Sequence, residues 1–263
     1  MTLAVSSALE DFIAQKGSWK EAFDNGRLEI YSGAQPSTTS ADPAPTGNLL
    51  CTITLASGAK TDEVQASGSV ALTGGAAGSL DTLTVNSLEI MGSSTAFNTS
   101  LAQTAADIAL KINRNPKNKL FDASVSVNTV VLTARAGLGT LPNGWVVAST
   151  ATTITKTDTN MASGVDAVNG ITFDVSTAGT MPKKGTEVWS GVVSGAGTQT
   201  AGWFRLKGAI ADDNSLDSVN KKFFRLDGSI STTGADMNMT SASFVNGVTQ
   251  TINTFSLTIP AHA

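Results

Sequence analysis

The chain has 263 residues, of which only 14% are charged, and its 17 basic against 21 acidic residues leave a formal net charge of −4. That length allows one large or two modest domains, and the mild acidity without any dense Lys/Arg run argues against a nucleic-acid partner. The polar surface must come from Thr, Ser, Asn and Gly, a mixture that fits a β-rich extracellular or virion-type protein better than a cytosolic enzyme.

Ser7-Ala8-Leu9-Glu10 reads as a capping box, and Leu9, Phe12 and Ile13 form the apolar stripe of a helix that Gly17 stops. Ser18-Trp19-Lys20-Glu21 repeats the signal for a second short turn. This helical region is expected either to pack on an adjacent sheet or to dock on a neighbouring subunit, so Phe12 and Trp19 are candidate interface residues. Residues 1–12 lack the basic and apolar regions of a secretory signal, and no apolar run approaches the roughly 20 residues that cross a bilayer. Residues 27–32 alternate as a strand with Leu28 and Ile30 on one face, and residues 49–55 form the next. Cys51, the only cysteine, excludes an intrachain disulfide or paired-cysteine metal site and falls at a core position of that strand. Between the two strands, residues 35–48 with Pro36, Pro43 and Pro45 are a surface crossover or an extended segment reaching a partner.

Composition changes after Ala56. Residues 67–79 are rich in Gly, Ala and Ser, with 74–78 reading as a flexible linker, and residues 80–91 follow as a strand. The spacing predicts a helix over 99–115, with Leu101, Ala105, Ile108 and Ile112 on one face, Ser100 or Gln103 at its start and Asn115-Pro116 at its end. Residues 121–134 are one bent strand or a hairpin turning at Asn128-Thr129, and 145–155 give another strand. This region is expected to be a compact β–α–β–β unit of roughly 100 residues, enough for a small core of its own.

The earlier style then resumes. Residues 171–175 and 187–193 are strand-like, and residues 236–244 and 250–259 close the chain. Gly-Trp-Phe-Arg-Leu-Lys-Gly at 202–208 is echoed by Phe-Phe-Arg-Leu-Asp-Gly at 223–228. Two such strands predict an antiparallel pair with Phe204, Leu206, Phe224 and Leu226 on one apolar face. Trp203, Arg205 and Arg225, beside a connection carrying Asp212, Asp213 and Asp217, are candidates for a contact surface, since interfaces favour Trp and Arg. The fold class is mainly β: an antiparallel β-sandwich with an N-terminal helix and an inserted small α+β domain. The platform would span 1–66 and 170–263, and the insertion 67–169.

No catalytic, cofactor-binding or metal-ligating residue is assigned. His262, the only histidine, sits beside the last residue. Glu187, Asp174 and Asp227 are acids that a glycosidase would need in pairs, but nothing in the sequence brings two together. Asp213 and Asp217 lack the Gly and terminal Glu of an EF-hand loop.

The strings Arg27-Leu28-Glu29-Ile30-Tyr31-Ser32-Gly33-Ala34-Gln35-Pro36, Thr46-Gly47-Asn48-Leu49-Leu50 and Thr200-Ala201-Gly202-Trp203-Phe204-Arg205-Leu206 resemble a set of tailed-bacteriophage and prophage virion structural proteins. The likeness covers residues 1–60 and 171–263; the middle region and the long 209–222 connection depart from it. The middle region looks like a β–α–β module repeated across phage particle and flagellar filament-associated proteins. The resemblance implies a non-enzymatic structural protein located in the virion after assembly in host cytoplasm, with head decoration as the leading position. Its partners would be itself, as a homo-oligomer, and capsid or neck and tail subunits, with no cofactor, nucleic acid or membrane. The alternative is a neck, collar or tail protein whose inserted domain binds host glycan, with Trp145, Trp189 and Trp203 available to stack on sugars.

Overall fold

The computed structural model describes residues 3–219 and 221–258; His262 and the end of the last predicted strand at Ile259 lie outside them. Along the chain run β1 (Ala4–Val5), α1 (Ser7–Gln15), α2 (Trp19–Phe23), β2 (Arg27–Ser32) and β3 (Leu49–Leu55). Next come β4 (Ser67–Gly74), β5 (Ser79–Val85), β6 (Leu88–Glu89), β7 (Thr95–Ala96), α3 (Leu101–Arg114), β8 (Phe121–Ser126), β9 (Thr129–Ala134), β10 (Val147–Thr152) and β11 (Thr155–Ala162). The last group is β12 (Thr180–Pro182), β13 (Trp189–Val192), β14 (Thr198–Lys207), β15 (Arg225–Ser231), β16 (Met237–Asn238), β17 (Ser243–Val245), β18 (Thr249–Ile252) and β19 (Ser256–Thr258). The architecture is mainly β, with antiparallel sheets, an N-terminal helix and a separate α+β region.

The chain divides into two compact units, Met1–Asp62 with Ala167–Ala263 and Glu63–Asp166. The divisions fall three to four residues before those read in the sequence, at 62/63 and 166/167, because residues 63–66 bond within the middle unit while Val168 and Asn169 bond to Thr61 and Leu55 of the outer one. Ala134 N donates to Ala66 O, Glu63 accepts from the amides of Gly137 and Gly139, and Asp166 accepts from Thr140.

In the outer unit a sheet runs β1-β15-β14-β2-β3-β13-β18, with β16 beside β15 and β17 beside β14. Leu28, Ile30, Ile53, Trp189, Phe204, Leu206 and Leu226 turn into one apolar core, closed by Leu9 and Phe12 of α1, Phe23 of α2, Ile171, Phe173 and the β12–β19 pair. The expected sandwich is thus one large sheet covered by helices and a two-stranded pair. Phe224 packs at the core margin against Phe12, ring centroids 4.6 Å apart. Residues 171–175 form no strand: Ile171 and Phe173 make isolated bridges to Gly26 and Lys183. A register shift between Ile30 and Tyr31 lets both Leu50 and Cys51 face inward, and burial pushes the Cys51 thiol up to about 12.

The cap of α1 lies one residue earlier than the capping-box pattern suggests. Ser6 Oγ accepts from Leu9 N at 3.3 Å, donates to Phe223 O at 2.7 Å and accepts from Arg225 N at 3.1 Å, so one hydroxyl ties the helix start to β15. Ser7 is free to bond Asp42 through its amide and hydroxyl. The second box, Ser18 with Glu21, forms as read.

The middle unit holds two sheets, β11-β4-β9-β8 and β10-β5-β6 with β7 on β5. Ser100 caps α3, and Ala105, Ile108 and Ile112 enter the core with Thr104 and Ala109, while Leu101 is only half-buried. Of the linker read at 74–78, residues 75–78 lie between strands and Gly74 ends one. Residues 67–74 are β4, an interior strand with Val70 and Leu72 fully buried, and a Cβ on Gly68 would meet Met161 Sδ at 2.8 Å. Small residues here serve close approach. Residues 121–134 form the hairpin, turning at Val127-Asn128 with Ser126 opposite Thr129, one residue earlier than expected. The strand read over 145–155 ends at Thr152. Thr153 takes φ 67°, and the chain re-enters as β11 on the other sheet.

Candidate functional site

Strands β2, β14 and β15 lie side by side, and alternation sends Leu28, Ile30, Phe204, Leu206 and Leu226 into the core. The opposite face carries three cross-strand rows: Tyr31–Trp203–Ser229, Glu29–Arg205–Asp227 and Arg27–Lys207–Arg225. This face is not a surface. Trp203, Arg205, Lys207, Arg225 and Asp227 have no exposure at all, and Glu29 and Tyr31 almost none.

The layer is neutralised locally. Arg205 holds Asp227 with two 2.7 Å bonds, Nε to Oδ1 and Nη2 to Oδ2. Arg225 holds Asp212 the same way, at 2.7 and 2.6 Å. Lys207 Nζ lies 3.0 and 2.9 Å from the two oxygens of Glu29. Arg27 reaches Glu29 at 2.9 Å and Asp62 at 2.6 Å. Four cations therefore meet four carboxylates, with Tyr31 donating to Glu29 at 2.6 Å. Burial alone would raise Glu29, but Lys207, Arg27 and the Tyr31 hydroxyl outweigh it and hold its carboxyl below the ordinary range. Asp212 behaves alike, with Arg225 and Lys207 overcoming burial. For Asp227 burial prevails over Arg205 and pushes the carboxyl up.

Two loops seal the layer. The proline-rich segment lies on the strands: the carbonyls of Asp42, Pro43 and Thr46 accept from Arg225, Arg205 and Trp203 at 2.9, 2.9 and 3.2 Å. Ala41 and Asp42 are buried, so this segment is a lid on its own sheet. The acidic connection supplies Asp212, while Asp217 accepts from the amides of Lys222 and Phe223. Trp203 stacks on Tyr31 with centroids 4.4 Å apart. The candidate contact surface of Trp203, Arg205 and Arg225 is thereby corrected: all three are consumed inside the chain, because two loops that carry no periodic signal fold over them. Phe12 is likewise buried, against Phe224.

Trp19 is the exception. It is only partly buried and lines a groove of about 290 Å³ with Val5, Leu9, Glu10, Ile13 and Ala14. The groove is the candidate contact site. Its apolar members are Leu9, Ile13 and Ala14 of α1, Trp19 of α2 and Val5 of β1; Leu9 and Ile13 were visible in the sequence as the helix stripe and Trp19 as a candidate interface residue, whereas Val5 was not legible, since a two-residue strand has no period.

The acids weighed for hydrolysis are each engaged by partners of their own. Glu187 accepts from Thr172 N and Trp189 Nε1, each at 2.9 Å, Asp174 from Gly185 N, and Asp227 is locked to Arg205. Asp213 accepts from Ser215 N. Among the described residues no three His, Cys, Asp or Glu side chains gather as metal ligands. Of the tryptophans considered for glycan stacking, Trp189 and Trp203 are fully buried, and Trp145 is half-buried with its ring edge-on to Phe121. No protein-family model and no curated protein matches the chain.

Proposed function

We propose that this protein is a non-enzymatic structural component of a bacteriophage particle, a head decoration protein that binds other virion subunits through the α1–α2 groove. The observation that carries the reading is the groove itself: an open, almost wholly apolar depression beside a partly buried Trp19. Its neighbouring aromatics Phe12 and Phe23 are committed to the core. The likeness of residues 27–36, 46–50 and 200–206 to phage virion proteins supports the setting. The polar groups that chemistry would use are occupied by backbone amides and buried pairs, which favours a structural role. A partner that inserts an apolar side chain beside Trp19 desolvates both surfaces, and a contact repeated over many copies favours the assembled state.

The test is reconstitution of particles lacking this protein with wild-type chain, Trp19→Ala and Ile13→Asp. Wild type should bind in many copies over the head. Trp19→Ala should weaken binding by about tenfold or more, within the range of a buried Trp anchor, and leave the cooperative unfolding of the free protein intact. Wild type confined to one vertex would replace decoration by the neck, collar or tail reading, and undiminished binding of both variants would remove the groove from the contact.

A further inference from the structure

The large sheet of the outer unit has two ends that differ sharply. At one end β1 is only Ala4–Val5, and Val5 O accepts from Ala41 N at 3.0 Å, so that edge is capped by the chain itself. At the other end β18 pairs, among the described residues, with β13 alone. The direction of its free hydrogen-bonding groups follows from parity. Ala56 N donates to Val188 O and Ser194 N to Leu50 O, so the even residues of β13 address β3, while Val193 N donates to Val248 O. The odd residues Trp189 and Gly191, paired with Ile252 and Gln250, therefore address β18. Gln250 and Ile252 bond inward, and Thr249 and Thr251 direct their N–H and C=O groups outward. No other backbone partner is found for these four groups among the described residues.

An open edge of this kind is normally guarded by a charge, a proline or a bulge. None is present here. Residues 237–258 contain no Asp, Glu, Lys, Arg or Pro, and the pairing of β18 with β13 has no register shift. Thr249 and Thr251 are exposed, as are Val192, opposite Thr249, and Val248, immediately before the strand.

We propose that β18 is the subunit contact of a homodimer, in which two copies of the chain pair their β18 edges antiparallel about a two-fold axis. Self-pairing satisfies the outward groups of both copies and places no like charges opposite one another. The capped β1 edge cannot accept a β18 strand from another copy, so association closes at two rather than propagating as a filament. The edge lies outside the groove assigned to the virion contact, and the dimer stands whether or not that reading holds.

Sedimentation velocity of the full chain over a wide range of concentration, with Thr251→Lys and Thr249→Lys alongside, tests the pairing. Wild type should sediment as a dimer. Either lysine sets like charges close to the two-fold axis and should weaken association by about tenfold or more, with an unchanged far-ultraviolet circular dichroism spectrum. Hydrogen exchange supplies a readout that needs no variant: the Thr249 and Thr251 amides should be protected in the dimer and exchange freely on dilution to monomer. A wild-type chain that is monomeric throughout, including one that binds only a different virion protein along this edge, overturns the proposal. So does a dimer whose affinity both lysines leave untouched, or whose Thr249 and Thr251 amides are unprotected.

Discussion

At the residue scale the most consequential feature is a set of charges with no access to water. A buried ion pair contributes little net stability over an apolar pair of similar volume, but removing one partner strands the other and costs about 3–5 kcal/mol. Asp227→Ala leaves the Arg205 guanidinium buried without its carboxylate and is expected to lose an amount in that range by urea denaturation, whereas the paired replacement Arg205→Met with Asp227→Leu should lose markedly less. Equal losses would mean that the pair itself, rather than compensation, stabilises the fold. Glu29 adds a pH dependence. Its folded carboxyl sits below the ordinary range, so its contribution is present above the unfolded value and disappears as pH falls through the folded one. Glu29→Gln should therefore be less stable than wild type at neutral pH, and the difference should shrink on acidification; a constant difference from neutral to acid pH would refute it. The basic partners were readable in Arg205 and Arg225, but assigning them to a surface overlooked their neighbours. The Glu29–Arg205–Asp227 row exists only once the register is known, and register is a property of paired strands, not of either string alone.

At the scale of elements, legibility tracks periodicity. α3 carries an apolar stripe over four turns and ends where Asn115-Pro116 requires, so its bounds were read to within two residues. β14 and β15 alternate cleanly and pair as expected. β4 was missed because Ser, Gly and Ala fill positions where neighbouring backbone comes close, and composition then imitates a linker. The strand read over 145–155 runs past Thr152, and β11 was not read, because the Thr-rich run from Thr150 to Thr157 carries no stop signal, while the break is a single left-handed Thr153. Gly202 marks a further limit. It sits at the register shift of β14, where a Cβ would meet Gly33 O at 1.8 Å, and the string Gly-Trp-Phe-Arg-Leu gives no hint that its first residue is a bulge rather than a turn. The lids are the extreme case. Residues 35–48 and 209–222 have no period, and what holds them is a handful of carbonyl and carboxylate bonds to Trp203, Arg205 and Arg225.

At the scale of the whole molecule, the return of strand character after residue 170 made an outer unit interrupted by another legible, and the junction supplies its own test. Thr61 and Val168 exchange hydrogen bonds at 3.1 and 3.0 Å, both within the outer unit. Removing residues 63–166 and joining Asp62 to Ala167 would leave those two residues as a two-residue turn closed by an existing pair, a loop length that antiparallel strands accept. Asp62 keeps Arg27 and Lys60, and among the described residues the core from Leu9 to Leu257 draws none from the deleted stretch. A cut at 67–169, as composition alone suggests, instead leaves residues 63–66 without the middle-unit partners of Glu63, Gln65 and Ala66 and removes Asn169, whose carbonyl accepts from Leu55 N. The 63–166 deletion is thus expected to yield a soluble chain with one cooperative unfolding transition and slow exchange at β2, β14 and β15, and the 67–169 deletion to be the less stable of the two. If the first aggregates or lacks a cooperative transition, the outer unit depends on the middle one to fold, and the chain is a single cooperative domain despite its two cores.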